Sequence, residues 1–331
     1  MQTGDRQPIS DLYSGVRKYL KIWKINDRGT VICRPSEWPQ GDWGYEVDLE
    51  VIYNVWYYMA LKGAANMAGL LGKPNDVAEY SQIMKQLKLA FNKNYWTGTA
   101  YRDPGYKGKT DDRSQALAVL SGLADREKYP AIFEVLKNEE HASPYLEKYV
   151  MEALFQMGNE DYAIQRMKKR FGSMVNNPNY STLFEGWGIG SEGFGGGTTN
   201  HAWSGGGLTI LSQYLCGIAP LEPGYTTFQV IPQPASVEQA SARILSVKGE
   251  IQSSFIHKAG KFELSVIVPK GTEAVIGIPD KGFSSIDVDG EKVWKKGQYI
   301  ANKKVLKYSD QTKSHIKFKV TAGNWHFTAV K

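Results

Sequence analysis

Two cysteines in 331 residues are too few for a disulfide-built scaffold, and Cys33 and Cys216, far apart in sequence, read as buried thiols rather than as a required pair. Long apolar runs are missing as well. No segment approaches the roughly 20 residues that cross a bilayer, and the opening MQTGDRQPISDLYSG has no apolar core of an export signal. No membrane partner is expected, and the location stays open between the cytoplasm and, for a piece of a longer precursor, the periplasm or the exterior. Histidine is scarce at five residues. No His, Cys and Asp grouping has ligand spacing, so neither a metal nor a cofactor is expected. Basic residues exceed acidic ones, giving a net charge of +6. The surplus is lysine scattered over the C-terminal third, without the compact arginine cluster of a nucleic-acid binder, so no nucleic acid is expected as a partner.

What the chain does have is apolar and aromatic mass: 42% hydrophobic residues, nine Trp and nineteen Tyr, enough for packed cores. Its first part carries helical periodicity. Over 9–24 apolar residues recur at helical spacing, with Ser10 or Asp11 available as a cap; 48–71 is apolar nearly all round; 75–92, capped by Asn75 or Asp76, keeps a single apolar stripe opposite lysines. The alternation repeats over 111–123, 129–137, 144–157 and 161–175, and a last helix is expected at 207–216. Apolar inner helices alternating with amphipathic outer ones predict a toroid of helical hairpins. After Gly217 the texture changes to short alternating runs, among them TTFQVI, KFELSVIV, AVIGI, SSIDVDG and NWHFTAV. These predict an antiparallel β-sandwich with hairpin turns at KAGKF and after Asp287-Val288-Asp289-Gly290. The chain thus reads as α+β multidomain, with a helical domain over 1–218 and a β domain over 219–331.

The densest chemistry lies in residues 179–223, which combine a carboxylate, two tryptophans, a histidine and a glycine-rich loop. Glu185 sits between Phe184 and Trp187, where partial desolvation would raise its pKa towards the range useful for proton transfer; it reads as a general base or acid. The glycine-rich run that follows reads as an ordered loop whose backbone approaches a ligand, with Asn200, His201 and Trp203 facing it. Apolar ring faces rimmed by hydrogen-bonding groups match a sugar, so a carbohydrate is the expected partner. Trp187, Asp42 and Trp43 join this candidate substrate site, as do Asp112 and Arg113, whereas Asp111 reads as a helix cap. Each has a plainer reading as turn closure, cap or ion pair.

The runs TLFEGW, NHAWSGGG and LCGIAPLEPGY, with GDWG at 41–44, TDDRSQALAVLSGLA at 110–124 and SPYLEKYVMEAL at 143–154, resemble bacterial α-L-rhamnosidases of glycoside hydrolase family 78. The resemblance implies a six-hairpin (α/α) toroid followed by a C-terminal β domain, and inverting hydrolysis of terminal α-L-rhamnosides. It places Glu185 at the general base and His201 at a sugar contact. Inversion needs two carboxyls about 6.5–9.5 Å apart, one protonating the leaving oxygen and one activating water. The family's general acid lies in an Arg-Glu-Arg segment upstream of the GDW run, and these residues contain no such segment. Glu37 is the nearest look-alike and Glu192 a rival carboxylate. About seven helices, against about twelve for a full ring, imply a partial toroid whose apolar inner faces are covered by a missing N-terminal half, a homo-oligomer or a rearranged β domain. Two other classes stay open: a non-catalytic carbohydrate-binding or accessory protein, and a polysaccharide lyase on a helical toroid.

Overall fold

The computed structural model describes residues 1–33, 41–189, 197–300, 306–307 and 314–331; Glu37 and Glu192 lie outside them. The chain divides into two compact units, residues 6–206 and residues 207–331 together with 1–5.

The first unit is helical: α1 (Gln7–Leu20), α2 (Leu49–Leu70), α3 (Pro74–Tyr95), α4 (Asp112–Ser121), α5 (Tyr129–Asn138), α6 (Pro144–Met157) and α7 (Glu160–Val175). Two starts differ from expectation. No side chain caps α1 or α3; each has a proline in its first turn, Pro8 and Pro74, whose preset φ and missing N–H suit that position. Asp76, expected as a cap, instead accepts the Tyr13 hydroxyl at 2.6 Å and ties α1 to α3. Asp48 caps α2 by accepting from Val51 N, and Gly72 follows its end at φ +67, a conformation that favours glycine. The helices form two rows. α2 packs on α4 and α4 on α6, while α3, α5 and α7 lie against α2, α4 and α6 respectively. This is the inner and outer alternation the hydrophobic patterning predicts. α4 is the extreme inner case: even Asp112, Arg113, Ser114 and Gln115 are buried. A core of Tyr13, Leu20, Tyr57, Leu61, Ala64, Tyr80 and Leu87 fills the space among α1, α2 and α3.

A short helix α8 (Gly206–Ile210) and a π-helical turn at Leu211–Leu215 precede ten strands: β1 (Ile218–Pro220), β2 (Thr227–Val230), β3 (Gln239–Ser246), β4 (Gly249–Lys258), β5 (Lys261–Pro279), β6 (Ser285–Val288), β7 (Glu291–Lys295), β8 (Gln298–Tyr299), β9 (Leu306–Lys307) and β10 (His315–Val330). They join in one ladder with β5 and β10 at its centre, antiparallel throughout except for the parallel pair β2 and β5. Both expected hairpin turns are present. Ala259 and Gly260 link β4 to β5, and Asp289 and Gly290 link β6 to β7, all four at positive φ, as a two-residue turn matching the strand twist requires. The core side of the sheet carries Phe228, Phe255, Phe262, Leu264, Phe318 and Phe327.

Candidate active site

Arg113, in the first turn of α4, organises the loop that carries Trp43. Its guanidinium is fully buried. Nε donates to Asp111 Oδ1 at 2.6 Å, Nη1 to Asp42 Oδ2 at 3.2 Å, and Nη2 to the carbonyls of Tyr45 and Glu46 at 2.8 and 2.7 Å. Asp42 also accepts from Ser143 N at 2.9 Å and Ser143 Oγ at 2.5 Å, at the start of α6, where unpaired amides and the helix dipole favour a carboxylate. Burial still pushes the Asp42 carboxyl above its ordinary value, against the opposing pull of Ser143 and Arg113. A second buried arginine, Arg166 on α7, donates to Asp112 Oδ2 at 2.7 Å and to Glu147 Oε1 at 2.6 Å. Charges withdrawn from water this far require such pairing, which is incomplete at one atom: Asp112 Oδ1 is buried without a hydrogen-bond partner among the described residues.

Glu185 lies in a segment laced to the chain after the glycine-rich run. Glu185 N donates to Thr198 O at 2.9 Å and His201 N to Leu183 O at 2.9 Å, while Ser204 Oγ donates to Phe184 O at 2.5 Å. Its carboxylate Oε2 accepts from Thr198 N at 2.9 Å, and its carbonyl accepts from Trp203 Nε1 at 3.0 Å. The Trp203 ring is the hub of an aromatic cluster: His201 lies against it at 4.3 Å between ring centroids, Tyr145 stacks on it at 5.6 Å, and Trp43 meets it edge-on at 6.5 Å. From Tyr145 the string continues through Tyr149 to Trp56. His201 Nδ1 is buried without a hydrogen-bond partner among the described residues.

Residues 1–215 match the model of the bacterial alpha-L-rhamnosidase 6 hairpin glycosidase domain, and residues 217–292 that of the bacterial alpha-L-rhamnosidase C-terminal domain. The chain belongs to the bacterial α-L-rhamnosidase family. An alpha-L-rhamnosidase of Formosa agariphila is 25% identical over 352 residues, covering 99% of this chain and 37% of that protein. One of Streptomyces avermitilis is 26% identical over 299 residues, covering 83% of this chain and 28% of its own length. The chain therefore spans about a third of the curated relatives it matches. Among solved structures, the rhamnosidase of Dictyoglumus thermophilum superposes with a TM-score of 0.85 at 21% identity over 100% of this chain and 38% of its own. The Streptomyces avermitilis rhamnosidase complexed with L-rhamnose gives 0.79 at 22% identity, covering 100% and 31%. At these identities the structures establish the fold, and the resemblance first read from TLFEGW and NHAWSGGG is borne out at the level of the family.

Within this rhamnosidase fold the residues singled out from sequence fall into two sets. Glu185, His201, Trp203 and Trp43 come together around the indole of Trp203. Asp42, Asp112 and Arg113 do not present their polar groups to solvent: their side chains are 0–1% exposed, with Asp42 and Arg113 bonded to protein atoms on every polar edge named above. Trp187 also stands apart. Its Nε1 donates to Ala142 O at 2.8 Å, Phe171 meets it edge-on at 5.0 Å, and the Arg170 guanidinium lies 4.2 Å from its ring centre. The residue missed was Tyr145, 38% exposed and stacked on Trp203. Its signal was present as the i, i+4 pair Tyr145 and Tyr149 in SPYLEKYV, a spacing that puts both rings on one helix face.

Proposed function

We propose that this chain supplies the general base and one aromatic wall of the sugar site of an inverting α-L-rhamnosidase. The observation that carries this reading is the bonding of Glu185 to Trp203 and Thr198, which makes the carboxylate and the aromatic face one unit. In the proposed reaction Glu185 takes a proton from water as that water attacks the anomeric carbon, and a second carboxyl, outside the described residues, protonates the departing oxygen. Trp203, Tyr145 and Trp43 offer the sugar a ring face, and His201 a polar rim. Asp42, Arg113 and Asp112 act behind this surface. A carboxylate whose lone pairs are taken by Ser143 and Arg113 holds the Trp43 loop in place rather than gripping a hydroxyl.

The test is the anomer first released from an aryl α-L-rhamnoside by an active protein containing this chain, followed by proton NMR. Inversion gives β-L-rhamnose first. An α-anomer formed first would overturn the inverting assignment, and an unsaturated, ultraviolet-absorbing product would point to a lyase.

A further inference from the structure

The β unit holds a groove that takes no part in the chemistry above. It has a volume of about 340 Å³, and polar side chains of Gln252, Ser254, Ser265, Asn324, His326 and Asp289 share its lining with Val266, Ile267 and Trp325. Strand register explains how they meet. Ser254 pairs with Ser265 and Ser265 with His326; one row away Gln252 pairs with Ile267 and Ile267 with Asn324. Side chains alternate with period two, so both rows share a face, while the intervening Ser253, Phe255, Leu264 and Phe327 are buried.

The groove is also ordered. Asp289, in the β6–β7 turn, donates its N–H to His326 O at 2.9 Å and accepts from His326 N through Oδ1 at 3.1 Å. The imidazole is held between neighbouring side chains, with Nδ1 3.0 Å from Ser265 Oγ and Nε2 3.4 Å from Thr328 Oγ1.

Its chemistry selects the ligand class. Two hydroxyls, two amides, an imidazole and one carboxylate line it beside Val266, Ile267 and Trp325, with no lysine or arginine, in a chain that has 40 of them. An anion finds no cation there, a metal ion finds one carboxylate, and a wholly apolar ligand would take the Ser254 hydroxyl and the Asn324 amide out of water. A neutral saccharide satisfies all of it. Its hydroxyls both donate and accept, and its C–H face can rest on Ile267. The volume lies near the lower end of the roughly 300–1,000 Å³ typical of ligand sites, room for one or two sugar residues.

We propose that this face of β4, β5 and β10 is a non-catalytic binding site for neutral saccharides, holding a polymeric substrate by a second point in the same chain. Two linked sites raise the local concentration of substrate at the first without any new contact there.

The test is titration of the full chain with L-rhamnose and with a neutral galactan, read from the side-chain amide signals of Asn324 and Gln252 and from the galactan dissociation constant. Asn324→Ala combined with His326→Ala, both at exposed positions, is expected to raise that constant about tenfold, the worth of one or two hydrogen bonds, with unchanged melting temperature. In Trp203→Ala the side-chain amide signals of Asn324 and Gln252 should still move on titration, which separates this site from the Glu185 region. Unmoved amide signals at saturating sugar would overturn the proposal, as would galactan binding unaltered in the double variant or binding of polygalacturonate alone. Because the readout is binding, failure of the hydrolytic reading leaves the result interpretable.

Discussion

Trp203 donates its indole N–H to the main-chain carbonyl of Glu185 at 3.0 Å, so the aromatic face and the carboxylate are parts of one hydrogen-bonded segment. Trp203→Phe keeps a ring but deletes that bond. In an active protein containing this chain, kcat is expected to fall about five- to tenfold, the effect of about 1 kcal/mol, with KM changing less. Steady-state kinetics check this; an unchanged kcat would show that the bond does not position the carboxylate.

Tyr145, stacked on Trp203 and 38% exposed, should contribute to sugar binding through its ring. Tyr145→Ala is expected to raise KM about threefold to tenfold, the worth of an aromatic contact of 0.5–1.5 kcal/mol, and Tyr145→Phe to restore most of it. Equal losses in both variants would make the hydroxyl, not the ring, the working group.

Arg113 is buried against Asp42 and Asp111. Arg113→Met leaves two buried carboxylates without their cation, a change that costs about 3–5 kcal/mol where it has been measured in other proteins. Urea denaturation should show a loss of that order for the helical unit. A loss below about 1 kcal/mol would mean the cluster is wetter than its geometry indicates.

Burial lifts the Asp48 carboxyl to about 6, above the roughly 3.9 of an unfolded chain. The folded state then holds the extra proton between those values, so stability from this group is present at low pH and is lost as pH rises through about 4 to 6. Asp48→Asn removes the titration. The stability of the parent relative to this variant should therefore decline from pH 4 to pH 6, by at most about 3 kcal/mol. A difference that grows in the parent's favour over that window would contradict the assignment.

Local rules made much of the fold legible. The inner and outer helix rows follow from which segments are apolar all round and which have one stripe, and the Asp289-Gly290 turn follows from the need for positive φ. The misses arose where tertiary geometry overrides local signals. KFELSVIV and AVIGI read as two strands because Pro269 and Gly271 separate them, yet β5 runs through both. β4 pairs with it only as far as Ile267 and β2 only from Glu273, so the proline falls in a stretch where no ladder hydrogen bond is asked of it. At the site, the carboxylate and aromatic ring of 182–203 are close in sequence and could be grouped. The burial of Asp42 by Arg113 and Ser143 joins residues 71 and 101 positions apart, which no spacing reveals.

The proposed role of Glu185 as the base is tested most directly by Glu185→Gln in an active protein containing this chain, with an aryl α-L-rhamnoside as substrate. Turnover should fall about 10²- to 10⁴-fold, the usual worth of a positioned proton-transfer group, while rhamnose affinity and melting temperature stay near those of the parent. Turnover within a factor of about three of the parent, a barrier change of about 0.7 kcal/mol or less, would remove Glu185 from the reaction.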